Sequence, residues 1–153
     1  MNGHTVRKFR LSDKFISQYE NKKVPWGPVG YVTYKRTYAR RLDERTPGAV
    51  GTEEWFQTCR RVIEGMFNMQ KQHVSHLGLE WNDAKAQKTA KEAYDRLFDL
   101  KWTPPGRGLW MMGTKFVEER TAAGLFNCAF RSTKDISSKG QPRRLGSFSS
   151  GST

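Results

Sequence analysis

TEEWFQTCRRVIEGMFNMQKQHVSHLG, residues 52–78, carries its apolar side chains at helical spacing. Trp55, Cys59, Val62, Ile63, Met66 and Val74 form one stripe, and Phe56, Phe67 and Leu77 widen it. Thr52 is an N-cap candidate, and Glu53 and Glu54 suit the positive end of a helix. Gly78 closes the element as a C-cap. A second helix is expected from about Asn82 to Leu100, with Ala86, Ala90, Ala93, Leu97 and Leu100 facing inward and Tyr94 beside them. The short Leu79-Glu80-Trp81 link makes the pair a helical hairpin.

Toward the N-terminus, residues 1–12 read as a basic, flexible or loosely docked arm. Asp13 to Tyr19 suits a short helix capped by Ser12 or Asp13. After the turn Pro25-Trp26-Gly27-Pro28, the run Val29 to Tyr38 is rich in Val, Thr and Tyr and is expected to be extended. Arg40 to Gly51 reads as a loop. On the other side, TPPGRGLWMMG, residues 103–113, implies irregular backbone, and Thr114 to Arg120 a helical turn. Leu125 to Arg131 is short and apolar, as a buried strand would be. Residues 137–153 hold six Ser and three Gly with a charge of +3, the composition of a disordered tail.

A chain of 153 residues is one domain by length and can bury a core without staples. No apolar run approaches the roughly 20 residues of a membrane span. The N-terminal MNGHTVRKFRLSDKF lacks the apolar centre of a secretory leader. Two cysteines exclude a disulfide framework, so a reducing, cytoplasmic setting is expected. Lys and Arg number 27 against 15 Asp and Glu, a net charge of +12. That balance suits a polyanion: nucleic acid, nucleotide phosphates or an acidic partner surface.

Several groups invite a chemical reading. His73 and His76 share a helix face, but no carboxylate or thiolate nearby completes a metal set. Cys59 falls on the apolar stripe and reads as a small core residue. Arg60 and Arg61, with Lys35, Arg36, Arg40, Arg41 and Arg45, form either a solvated face or a phosphate-binding one. Tyr31, Tyr34 and Tyr38 interleave with them, as in nucleic-acid binders, although strands favour Tyr anyway. In Pro104-Pro105-Gly106-Arg107-Gly108, the glycines let backbone N–H groups approach an anion and Arg107 can grip phosphate. The Lys-Ser/Thr of a Walker loop is missing, and a plain turn explains the pattern equally well. Cys128, beside Asn127, reads as a buried thiol.

Taken together, these segments resemble the N-terminal region of adenosylcobalamin-dependent (class II) ribonucleoside-triphosphate reductases. The resemblance runs over about residues 9–136. It is carried by Leu11 to Ile16, Tyr34 to Arg40, Arg60 to Asn68, Tyr94 to Asp99, Pro104 to Trp110 with Met112-Gly113-Thr114, Asn127 to Phe130, and Ser132 to Ile136. PPGRGLW followed by NCAF is the most specific part.

The resemblance implies an α-rich N-terminal layer leading into the first strand of a ten-stranded α/β barrel, here incomplete. Residues 13–103 would be the helical region and 104–136 the start of the barrel. It implies thiyl-radical reduction of ribonucleotides to deoxyribonucleotides for DNA synthesis, with adenosylcobalamin as cofactor. Cys128 matches the first of two reducing cysteines, and Arg107, Gly108 and Asn127 match the substrate bed of a ribonucleoside triphosphate. The thiyl cysteine, its Asn and Glu partners, the second reducing cysteine, the effector site and the cobalamin-binding region fall outside this sequence. The expected entity is therefore a fragment, inactive alone. Its expected partners are a second chain carrying the rest of the reductase and a dithiol reductant such as thioredoxin. Departures from the family pattern are Leu125-Phe126 before the Asn-Cys pair, Arg131 in the strand, and residues 137–153. The rival readings are a small basic nucleic-acid-binding protein, favoured by charge and residues 31–45, and an inactive remnant.

Overall fold

The computed structural model describes residues 7–44, 47–119 and 122–125. In chain order the helices are α1 (Asp13–Ile16, running into a 3-10 turn Ser17–Tyr19), α2 (Pro28–Thr37), α3 (Trp55–His76), α4 (Asp83–Phe98), α5 (Gly106–Met111) and α6 (Lys115–Glu119). Short 3-10 turns lie at Leu42–Glu44 and Ala122–Leu125. Among the described residues the only β pairing is an antiparallel bridge between Arg41 and Thr52. No helix among them is long and apolar enough to cross a membrane.

The hairpin of α3 and α4 is the scaffold. The N-cap of α3 is Glu54 rather than Thr52, and the Gln57 side-chain oxygen accepts the Glu54 N–H at 2.8 Å. Gly78 ends the helix at φ +68°, with Leu79 N–H donating to the Val74 carbonyl. Asn82 caps α4 by accepting the Lys85 N–H at 2.9 Å. Trp55, Cys59, Val62, Ile63 and Phe67 of α3 meet Ala86, Ala90, Tyr94, Leu97 and Phe98 of α4 in one core. Alanines at 86 and 90 let the helices approach, and the larger residues fill the open end. The stripe is narrower than its spacing suggests, since Met66 and Leu77 are exposed. Leu100 also turns outward, because α4 stops at Phe98 and the chain leaves through φ +56° at Leu100. Phe98 takes the inward place.

Residues 7–12 are docked rather than loose. Phe9 and Leu11 are each 2% exposed, and Phe9 stacks on Phe67 with ring centroids 5.1 Å apart. Asn68 pairs with the Phe9 backbone, accepting its N–H at 2.7 Å and donating to its carbonyl at 3.2 Å. Glu64 accepts the Leu11 N–H at 3.1 Å.

The expected extended segment Val29 to Tyr38 is instead the helix α2. Gly27 is its N-cap and Pro28 opens it, where a missing N–H costs nothing. Thr33 donates its hydroxyl to the Val29 carbonyl at 2.9 Å. Tyr34 packs between Trp26 and Trp55, while Val29 and Val32 face solvent. β-Propensity pointed to a strand; the burial of one tyrosine by tertiary packing overrides it. The region 103–113 is likewise more regular than two prolines and three glycines imply, because the prolines precede α5 and do not interrupt it. The helical turn expected after Thr114 is α6. Of the expected strand Leu125 to Arg131, only Leu125 lies within the described residues, at the end of a 3-10 turn.

Candidate functional site

The turn Pro104 to Gly108 is built by close packing. A Cβ on Gly108 would stand 3.0 Å from the Pro104 Cβ, and one on Gly106 would stand 3.2 Å from the Tyr38 hydroxyl. The Gly108 N–H donates to the Pro105 carbonyl at 2.7 Å. Gly108 therefore contributes clearance, and its amide is engaged within the helix. Arg107 is exposed on α5. Asn127 and Cys128 lie outside the described residues.

Behind α5 is a buried ionic knot. Arg61 and Glu53 are each 1% exposed, and Arg61 Nε donates to the two Glu53 carboxylate oxygens at 2.9 and 3.1 Å. Arg61 Nη2 reaches the Leu109 carbonyl at 2.9 Å and Nη1 the Met112 carbonyl at 2.6 Å. The Glu53 carboxylate also accepts the Thr58 hydroxyl at 2.8 Å and the Arg40 N–H at 3.2 Å. Tyr34 shares a 2.7 Å hydrogen bond with Thr58 and donates to the Glu53 carbonyl at 3.1 Å. Burial raises the Tyr34 phenol well above its ordinary value, so it remains a neutral donor. Beside the knot, α3 and the chain after α5 touch backbone to backbone. A Cβ on Gly65 would lie 2.6 Å from the Gly113 nitrogen, and one on Gly113 would lie 2.4 Å from the Arg61 carbonyl oxygen. A cleft of about 400 Å³ opens there, bordered by Lys8, Arg40, Asp43, Gly113, Lys115 and Phe116.

Among the described residues, the basic group read from sequence is dispersed over several ion pairs. Arg61 is buried in the knot. Arg60, half-buried, donates to Glu64 at 2.7 Å and pairs with Asp13 at 2.8 Å, clamping the N-terminal arm. Lys35 pairs with Glu54, and Arg41 with Asp43 at 2.7 Å. Arg36 is exposed, and Arg45 lies outside the described residues. Tyr34 is 4% exposed and offers no ring for a base to stack on, and the Tyr31 hydroxyl donates to Glu54. His73 and His76 are exposed, and no group of three or more potential metal ligands occurs among the described residues. Cys59 has no exposed surface, and desolvation pushes its thiol well above the ordinary value, with Arg61 opposing.

Sequence reasoning missed Glu53 as a buried anchor, reading it only as a helix-end charge. No periodic signal marked the pair: the residues on the same helix face as Arg61 are Gln57, Thr58, Glu64 and Gly65, none of them part of the apolar stripe.

Comparison with known proteins gives the class. Residues 11–114 match the model of the ribonucleotide reductase alpha domain. A match over that much of the chain means that this chain belongs to the ribonucleotide reductase family. Within the family it is 43% identical, over 135 residues, to a probable adenosylcobalamin-dependent ribonucleoside-triphosphate reductase of Dictyostelium discoideum. That match covers 86% of this chain and 17% of the relative. It is 37% identical, over 147 residues, to the adenosylcobalamin-dependent enzyme of Euglena gracilis, covering 94% of this chain and 19% of the relative. A crystal structure of a B-12 dependent (class II) ribonucleotide reductase matches with TM-score 0.63 and 35% identity, over 78% of this chain and 16% of the other. The chain thus spans less than a fifth of the length of these relatives.

Proposed function

We propose that this chain is the N-terminal part of an adenosylcobalamin-dependent ribonucleoside-triphosphate reductase working in the cytoplasm. It supplies the helical layer, one edge of the substrate bed and one reducing thiol, leads into the enzyme's barrel, and does not turn over alone. The observation that carries the reading is the α5 turn: it lies inside the family match, presents Arg107 at the surface and is tied to the core from behind by Arg61. Arg107 meets the triphosphate with a charge-assisted hydrogen bond, and Asn127 is assigned to substrate binding by the resemblance alone. Gly108 serves the bed by letting the turn that carries Arg107 close against Pro104.

Reduction replaces the 2′ C–O bond of the ribose by a C–H bond, and the hydroxyl leaves as water. Two thiols become a disulfide in the process. Cys128 is one of them, its partner is on the chain carrying the rest of the enzyme, and an external dithiol such as thioredoxin restores the pair. Two clefts among the described residues do not suit a corrinoid. They are bordered by charged groups such as Lys8, Arg10, Arg40, Lys71 and Glu118 rather than by a broad apolar bed. No step on this chain is assigned to adenosylcobalamin.

The test is multiple turnover in the complex with the complementing chain, with excess dithiol. Cys128→Ser abolishes repeated turnover, and Cys59→Ala leaves it largely intact. Arg107→Ala removes a contact worth about 1.5–3 kcal/mol, so triphosphate affinity falls roughly ten- to a hundredfold. Normal turnover by Cys128→Ser would show that Cys128 is only a core thiol.

A further inference from the structure

We infer that Arg61, held by Glu53, is a positioning residue that fixes where α5 presents Arg107. This rests on the reading that Arg107 meets the substrate triphosphate. A six-residue helix leaves most of its carbonyls without partners inside the helix, and α5 buries little more than Gly108 and Leu109. Packing alone therefore holds it weakly. Arg61 supplies what packing does not. One planar guanidinium bonds both the Leu109 and Met112 carbonyls, three residues apart at the end of α5. Two bonds from one rigid fork set both the rotation of the helix and its position along its axis. A lysine ammonium has neither the plane nor the span to do this.

The fork is itself held in place. Glu53 takes Nε with both carboxylate oxygens, and Thr58 and the Arg40 amide hold that carboxylate. Tyr34 holds Thr58 in turn. Gly113, at φ +72°, lies against the Arg61 carbonyl, so the exit of α5 is fixed by the same residue's backbone. A buried ion pair is a poor device for stability alone, because apolar residues of equal volume often do as well. This pair does what apolar residues cannot: it bonds two specific carbonyls.

The experiment compares wild type with Arg61→Lys, Thr58→Val, Arg107→Ala and the Arg61→Lys/Arg107→Ala double variant. Hydrogen exchange is measured on the full chain and kinetics on its complex with the complementing chain. In Arg61→Lys, the amides of Leu109–Met112 exchange roughly tenfold faster while α3 and α4 stay protected. KM for the ribonucleoside triphosphate rises roughly tenfold with a smaller change in kcat, and adding Arg107→Ala raises it little further. Thr58→Val, which removes one bond to Glu53 at equal volume, shows the same pattern more weakly and serves if Arg61→Lys does not fold. Unchanged exchange at 109–112, or KM effects of Arg61→Lys and Arg107→Ala that simply multiply, would overturn the inference. If Arg107→Ala alone leaves KM unchanged, the assignment of Arg107 to the substrate has failed. The inference that Arg61 places Arg107 for the triphosphate then falls with it, and the exchange data report only whether Arg61 holds α5.

Discussion

Cys59, Tyr34 and Tyr94 are buried acids with no charged role, and their burial makes a prediction about alkaline pH. Desolvation raises all three well above their ordinary values in the folded chain. Unfolded, a cysteine titrates near about 8.5 and a tyrosine near about 10. Above those values the unfolded state has lost protons that the folded state keeps, so the unfolded state is favoured increasingly as pH rises. Stability is expected to be level between about pH 7 and 8 and to fall from about 8.5 upward, steepening near about 10. Denaturant midpoints across that range check it, and Cys59→Ala should remove the earliest part of the fall at a cost of about 1 kcal/mol. Cys59 and Tyr94 were legible as core residues because a 3.6-residue period is a local signal. Arg61 was not. Its carbonyl partners are 48 and 51 residues away, and nothing in a one-dimensional pattern separates a buried arginine from a solvated one.

The contact between α3 and the chain leaving α5 depends on two glycines. At Gly65 and Gly113 a methyl group would strike backbone atoms, which cannot swing aside as a side-chain tip can. Gly65→Ala and Gly113→Ala are each expected to cost about 1–3 kcal/mol, with Gly113→Ala the worse because its φ is also +72°. Gly27, the N-cap of α2, has open space around it, and Gly27→Ser should change stability by only a few tenths of a kcal/mol. Thermal or denaturant melts of the three variants decide this, and tolerance of alanine at 113 would contradict the described packing. The same scale shows why α3 and α4 were readable and α2 was not. Each long helix carries several turns of repeated pattern. The ten residues of α2 carry only one buried side chain, Tyr34, so their β-branched composition misled. In α5 the Pro and Gly content hid a short helix whose first hydrogen bonds are accepted by the Pro105 carbonyl, a role that needs no N–H from either proline.

As a whole, the described residues form a helical layer around the α3–α4 hairpin, in a chain that spans less than a fifth of the length of its relatives. Among the described residues, many of the basic side chains are engaged with carboxylates. Lys8, Lys22, Lys35, Arg41, Arg60, Arg61 and Arg96 all pair in this way; Arg60 ties Asp13 to α3, and Arg61 ties the Glu53 segment to it. Family membership was legible through short motifs spread over the chain, and the matched span 11–114 takes in those up to Met112-Gly113-Thr114. The reducing role of Cys128 came from the resemblance alone, and its position lies outside the described residues. The most direct test of the central claim is deoxyribonucleotide formed from a ribonucleoside triphosphate, with adenosylcobalamin and excess dithiol. It is measured for this chain alone, for a chain carrying the remainder of a class II reductase alone, and for the two mixed. The account predicts product only from the mixture; product from this chain alone, or none from a mixture that forms a stable complex, would contradict it.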